Sequence, residues 1–76
     1  MLDQEIFINL SNNLFDLRKK HGYSQAEMAD ALGISSTLYA KMERADNCEW
    51  IPCFALLKIH FVFGVSIDSL FESPNQ

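Results

Sequence analysis

Tyr23-Ser24-Gln25-Ala26-Glu27-Met28-Ala29-Asp30-Ala31-Leu32-Gly33-Ile34-Ser35-Ser36-Thr37-Leu38-Tyr39-Ala40-Lys41-Met42-Glu43-Arg44 is the stretch that decides the fold. Ser24 and Glu27 have the S-x-x-E spacing of a capping box, which starts a helix by satisfying its first orphan N–H groups. Met28, Ala29 and Leu32 then fall on one inward side. Gly33 supplies the left-handed residue that closes such a helix. Ser35 is placed to cap a second helix. Tyr39 and Met42 point inward with Ile34, and Ser36, Thr37, Leu38, Ala40, Lys41 and Arg44 are left outside.

Two short helices meeting at a tight turn, over about residues 24–44, have the geometry of a helix-turn-helix. In that motif the second helix is offered to the DNA major groove. Ala29 suits a steep crossing, where a small residue is needed at closest approach.

Outward from this motif, a helix is expected from about Asp3 to Lys20. Ile6, Leu10, Leu14 and Leu17 form its buried stripe. Arg18, Lys19 and Lys20 load its last turn with positive charge, which suits the helix dipole, and Gly22 ends it. Beyond Arg44, residues 45–51 read as a loop. Pro52 suits the first turn of a fourth helix, which Gly64 ends. Phe54, Leu57, Ile59, Phe61, Val62 and Phe63 make that helix apolar nearly all round. Trp50 and Phe54 are expected in the core, and Cys53 as a small buried residue. Ser66 caps a short helix from Ile67 to Phe71, and residues 72–76 are expected to fray. The sum is an all-α fold of five helices in one domain, residues 1–76, with no repeat or linker.

Bulk properties narrow the function. With 76 residues the chain has room for one small core. It is nevertheless 49% hydrophobic with six Phe, so some apolar side chains must face a partner or stay exposed. No apolar run approaches the roughly 18 residues of a membrane span. The acidic start Met1-Leu2-Asp3-Gln4-Glu5 is unlike a secretory signal. A cytoplasmic location without membrane partners is expected, with Cys48 and Cys53 reduced. The net charge is −4, but it is unevenly spread. Residues 18–44 hold five bases against three acids, a net of +2, while residues 1–17 and 45–76 each net −3. A basic segment on an acidic body is compatible with DNA binding.

The pattern resembles the Xre-type helix-turn-helix family, to which lambda-like repressors and Cro proteins belong. The resemblance runs from about Leu10 to Phe71. It rests on Leu14-x-x-Leu17-Arg18, Ser24-Gln25-x-Glu27-Met28-Ala29, Gly33-Ile34-Ser35, Met42-Glu43-Arg44, Leu56-Leu57-Lys58-Ile59 and Gly64-Val65-Ser66-Ile67-Asp68-Ser69-Leu70-Phe71. It implies a five-helix, lambda-repressor-like DNA-binding domain. It implies that Gln25 grips a phosphate and braces the first reading residue. It implies that Ser36, Thr37 and Lys41 face base edges, with Leu38 and Ala40 beside them, and a DNA-facing set completed by Ser35 and Arg44. It also implies a buried ion pair between Arg18 and Glu43. Three departures stand out. Ala45 follows the Glu-Arg pair, where Gly is common. Asp46 and Glu49 put negative charge into a loop that usually nears the DNA backbone. Phe61 and Phe15 occupy outward places.

Phe61 and Phe15 are therefore the candidate surface of a homodimer reading a palindromic operator. Cys48, Cys53 and His60 offer three metal-ligand types but no fourth partner, so no metal site or cofactor is expected. No nucleophile, base and orienter constellation appears, and catalysis is not expected. The expected function is a sequence-specific transcriptional regulator with double-stranded DNA as its partner. The alternative is a protein-interaction module of the same fold with weak or lost DNA binding.

Overall fold

The structure, a computed structural model, describes residues 3–44 and 53–73, without the side chains of Asp3 and Gln4. The fold is all-α. Its elements are α1 (Asp3–His21), α2 (Gln25–Leu32), α3 (Ser36–Arg44), α4 (Cys53–Phe63) and α5 (Ile67–Leu70).

The helix ends follow from local chemistry. Ser24 accepts from the Glu27 N–H at 3.1 Å, and the Glu27 carboxylate accepts from the Ser24 N–H at 2.9 Å, so the capping box closes in both directions. α1 and α2 end in the same way. Gly22 and Gly33 adopt φ of 71° and 70°. The following residues, Tyr23 and Ile34, donate back to the carbonyls of Arg18 and Ala29 at 3.1 and 3.0 Å. This is the Schellman arrangement, and it turns the chain sharply within three residues. Ser66 caps α5 by accepting from the Ser69 N–H at 3.1 Å.

All five helices contribute to one core: Leu10 and Leu14 from α1, Met28, Ala29 and Leu32 from α2, Tyr39 and Met42 from α3, Ala55 and Ile59 from α4, and Leu70 from α5. α2 packs on both α3 and α4, α1 packs on α3, and α5 bridges α1 to α4. Two asparagines of α1, one turn apart, clamp the end of α5. The Asn13 amide donates to the carbonyls of Ser69, Leu70 and Glu72 at 3.2, 2.7 and 2.8 Å, and Asn9 donates to Phe71 at 3.1 Å. These bonds satisfy carbonyls that a four-residue helix cannot pair internally.

Three expectations need correction. Phe54 belongs to the core by pattern but is 57% exposed. Cys53, expected buried, is exposed as well. At 3.6 residues per turn both lie across the helix from Ala55 and Ile59, which hold the core face. Leu38, expected outside, packs against the core. At the end of α1, His21 is exposed, with its ring 4.9 Å from Phe63 and 5.8 Å from Tyr23. The expectations about Cys48, Trp50, Pro52, the loop acids and residues 74–76 lie outside the described residues.

A methyl group at Gly33 would meet only the Phe54 ring, at 3.9 Å, an ordinary contact. The cost of Gly33→Ala is therefore backbone strain alone, about 1–2 kcal/mol. Urea denaturation followed by circular dichroism measures it, and an unchanged midpoint would contradict the left-handed turn.

Candidate nucleic-acid interface

The outward side of α3 is assembled by its cap and by its two core anchors. Ser35 Oγ accepts from the Leu38 N–H at 3.1 Å, which fixes the first turn and leaves the hydroxyl proton free to donate. Tyr39 and Met42 hold the opposite side in the core. Ser36, Thr37, Ala40, Lys41 and Arg44 then share one arc of roughly 140°, by helical spacing. All of them are exposed except Ala40, which is half-buried. The structure thus brings together five of the DNA-facing candidates and sets Leu38 apart, at the edge toward the core.

A buried polar network holds this helix from behind. Arg18 of α1 grips Glu43 of α3 with two parallel bonds, Nε to Oε2 and Nη2 to Oε1, both 2.9 Å. The side chains are 10% and 6% exposed. The remaining guanidinium nitrogen, Nη1, donates to the Tyr23 carbonyl at 2.9 Å, just before α2. Ser11 donates to the backbone carbonyl of Glu43. The Tyr39 hydroxyl donates to the Leu14 carbonyl at 3.4 Å. Every buried polar side-chain atom among the described residues has a partner, as a buried ion pair requires.

Gln25, the first residue of α2, joins the same network. Its Nε2 donates to Glu43 Oε1 at 3.2 Å. The resemblance assigns Gln25 to bracing the first reading residue; here its amide is drawn to the ion pair. One amide N–H is thereby used, and a second remains for another acceptor.

The ionisation of the network follows from these contacts. Burial pushes the Glu43 carboxyl up, but hydrogen bonds from Arg18 and Gln25 and the charge of Arg18 outweigh it, so the net shift is downward. The hydrogen bond to Glu43 raises Arg18. Burial first, and then the Glu43 carboxylate, push the Tyr39 phenol far up, so it stays a neutral donor. Glu27 is lowered by the Ser24 backbone N–H, so the capping box keeps a charged acid at the start of α2.

The other candidates are scattered. Phe61 on α4 is 76% exposed and Phe15 on α1 is 44% exposed. The Phe15 ring carries the Arg18 guanidinium at 5.4 Å and the Lys19 ammonium at 5.5 Å. His60 Nδ1 lies 2.7 Å from the Val65 carbonyl, which ties up one of its two ring nitrogens. Among the described residues no group of three His, Cys, Asp or Glu is placed to hold a metal ion. No described helix is long and apolar enough to cross a membrane. Asn9 and Asn13, the clamp on α5, were not singled out from the sequence. Their four-residue spacing beside Leu10 and Leu14 is the signal that could have found them.

Residues 14–48 match the family model described as helix-turn-helix, which covers α2, α3 and the C-terminal part of α1. That family is a DNA-binding regulatory domain and not an enzyme family. No curated protein matches the chain.

Because the Glu43 carboxyl is lower in the folded state than its ordinary 4.5, its contribution to stability is complete above about pH 4.5. It is lost as the pH falls through the folded value. Glu43→Gln strands the Arg18 charge and is expected to cost about 3–5 kcal/mol near neutral pH. It should also remove this part of the acid limb. Denaturation midpoints of both proteins between pH 3 and 7 test this, and parallel pH profiles would rule out Glu43 as the titrating group.

Proposed function

We propose, from a chain whose residues 14–48 carry a helix-turn-helix of the Xre, lambda-repressor-like type, that this protein is a sequence-specific regulator occupying a palindromic operator as a homodimer. The motif itself points to a DNA-binding regulator. The finer reading is carried by the exposed arc of α3, which groups two hydroxyls, a small apolar residue and two cations on a helix anchored from behind.

Each side chain has a role suited to its chemistry. Lys41 donates to guanine O6 or N7. Ser36 and Thr37 donate to or accept from base edges, directly or through water. Ala40, with Leu38 at the edge of the arc, meets thymine methyl groups. Ser35, Gln25 and Arg44 address phosphates, Gln25 with the amide N–H that Glu43 does not use. The short hydroxyl side chains leave room for DNA shape to share in the specificity. Residues 1–76 act as one domain around this motif, in the cytoplasm. Two copies, joined through the exposed aromatics Phe61 and Phe15, would present their α3 helices to half-sites about 34 Å apart.

A second reading has support in the net charge of −4 and in the apolar side chains left exposed. In it the fold is kept as a protein-interaction module and DNA affinity is weak or lost. Salt separates the two, since only phosphate neutralisation releases counterions and gives steep salt dependence.

Selection of bound duplexes from a random DNA library at low salt tests the proposal. An enriched palindrome supports it, and salt-labile background without enrichment rejects it. On the enriched site Lys41→Ala should weaken binding by about 1–3 kcal/mol while hardly changing affinity for unrelated DNA. An equal loss on every sequence would make Lys41 a phosphate contact instead.

A further inference from the structure

α4 is apolar on two opposite faces. Ala55 and Ile59 are buried, and Leu56 and Phe63 pack against the same core. On the far side Phe54, Leu57 and Phe61 follow one another at spacings of three and four residues, with exposures of 57, 40 and 76%. Val62, 46% exposed, lies instead beside Ala55 at the margin of the core face. A helix apolar all round is normally covered on both sides. Only one side of α4 is covered by the described residues.

We propose that a second copy of this chain covers the outer face of α4, with the two helices antiparallel about a two-fold axis beside Leu57. Phe54 of each copy then lies against Phe61 of the other. The proposal rests on the homodimer reading above but narrows its surface to α4, keeping Phe61 and leaving Phe15 outside the contact.

Charge favours a second copy as the occupant. The three side chains of the face are uncharged, and α4 contains no acid. Its one lysine, Lys58, lies at the edge with its ammonium 5.9 Å from the Phe54 ring. DNA or an anionic membrane would require a row of cations here. Two copies of a protein of net charge −4 associate best through a surface that carries no acid. Phe15 is different: it stands apart on α1, is less exposed than Phe61, and has two cations, Arg18 and Lys19, over its ring against the single Lys58 beside Phe54. The centre of the contact therefore falls on α4.

Geometry favours the two-fold arrangement. Phe54 and Phe61 are two turns apart, about 10 Å along the helix, with Leu57 near their midpoint. An isologous contact places each against the other's counterpart, and antiparallel order brings unlike helix ends together. At about 200 Å² for a whole aromatic side chain, the exposed fractions offer on the order of 300 Å² per copy. With a rim of Cys53 and Lys58, two copies bury somewhat under about 1,000 Å², the size of a weak, transient interface. The expected dimer is of micromolar strength.

Sedimentation of the full chain and cysteine cross-linking test the proposal. Phe61→Glu should raise the dimer dissociation constant at least about 30-fold, as loss of a central aromatic anchor does, with helical circular dichroism unchanged. Phe15→Glu should change it little. In a background with Cys48→Ser and Cys53→Ser, Leu57→Cys should form a disulfide-linked dimer. This readout stands even if Phe61→Glu fails to fold. Cys53 in an otherwise native chain should not link to its counterpart, because the antiparallel order holds the two about 13 Å apart along the axis. A monomeric wild type, or cross-linking through Cys53 but not through position 57, would overturn the proposal. The operator reading fails separately. A dimer that cross-links at position 57 but enriches no DNA keeps this surface and removes the operator. An enriched palindrome with a Phe61→Glu protein that still dimerises does the reverse.

Discussion

The rest of the structure depends on the buried Arg18–Glu43 pair. A helix that leaves one side polar and open has few apolar anchors, and α3 has two fully buried ones, Tyr39 and Met42, to hold it in place. Two anchors fix the depth of a nine-residue helix better than its rotation about its own axis. The bidentate pair supplies the missing constraint, because a planar guanidinium accepts a carboxylate in one orientation only. Through Nη1 and Tyr23 the same arginine ties down the turn into α2, and through Gln25 the same carboxylate ties down the start of α2. One polar knot thus sets three helices against one another. Burying two charges is not a general source of stability. Its value here is that the arc of α3 keeps one rotation relative to α1 and α2.

Much of this was legible in the sequence because it is written in local chemistry. The capping box at Ser24 and Glu27, the serine cap at Ser35 and the glycines after α1 and α2 each act within five residues, and the structure forms all of them. The three-four periodicity of Leu10, Leu14, Met28, Leu32, Tyr39 and Met42 was equally plain, since each helix has one polar side to contrast with its apolar one. Where that contrast fails, the reading fails. α4 has no polar side, so its pattern does not say which face is inward, and Phe54 and Cys53 were placed on the wrong one. Leu38 sits on the boundary of the α3 arc, where an apolar residue on a short helix fits either neighbourhood. Asn9 and Asn13 look like solvent-facing polar residues until α5, some 60 positions away, brings its carbonyls to them.

The site shows a similar division. That Ser36, Thr37, Ala40, Lys41 and Arg44 share one arc follows from helical spacing once Tyr39 and Met42 are taken inward. The use made of Gln25 does not follow from spacing, because it depends on the carboxylate that α3 carries back toward α2. A residue expected to touch DNA directly has become part of the scaffold that orients the helix. Its two amide protons allow it both positions at once. The acidic balance of the chain is also less opposed to DNA than the sum suggests. Glu43 is neutralised by Arg18 in the interior, and Glu27 is committed to the α2 cap. Neither carboxylate belongs to the arc that carries Lys41 and Arg44.

These features bear on how such a small regulator can be decisive. On the proposed reading each copy presents a short arc with few long side chains, so a single half-site would bind weakly. The proposed α4 contact is also small, and a dimer of micromolar strength is largely dissociated when the protein is scarce. Joined on one operator, the two weak steps reinforce each other. With the first copy in place, the proposed α4 contact would add to the DNA contacts of the second, so each bound copy would favour the other. Occupancy therefore rises more steeply than in proportion to protein concentration, because two copies must arrive together. A larger apolar interface would have produced a permanent dimer and removed that dependence. The modest area of the α4 face is thus consistent with control by the protein's own abundance, which needs no effector pocket.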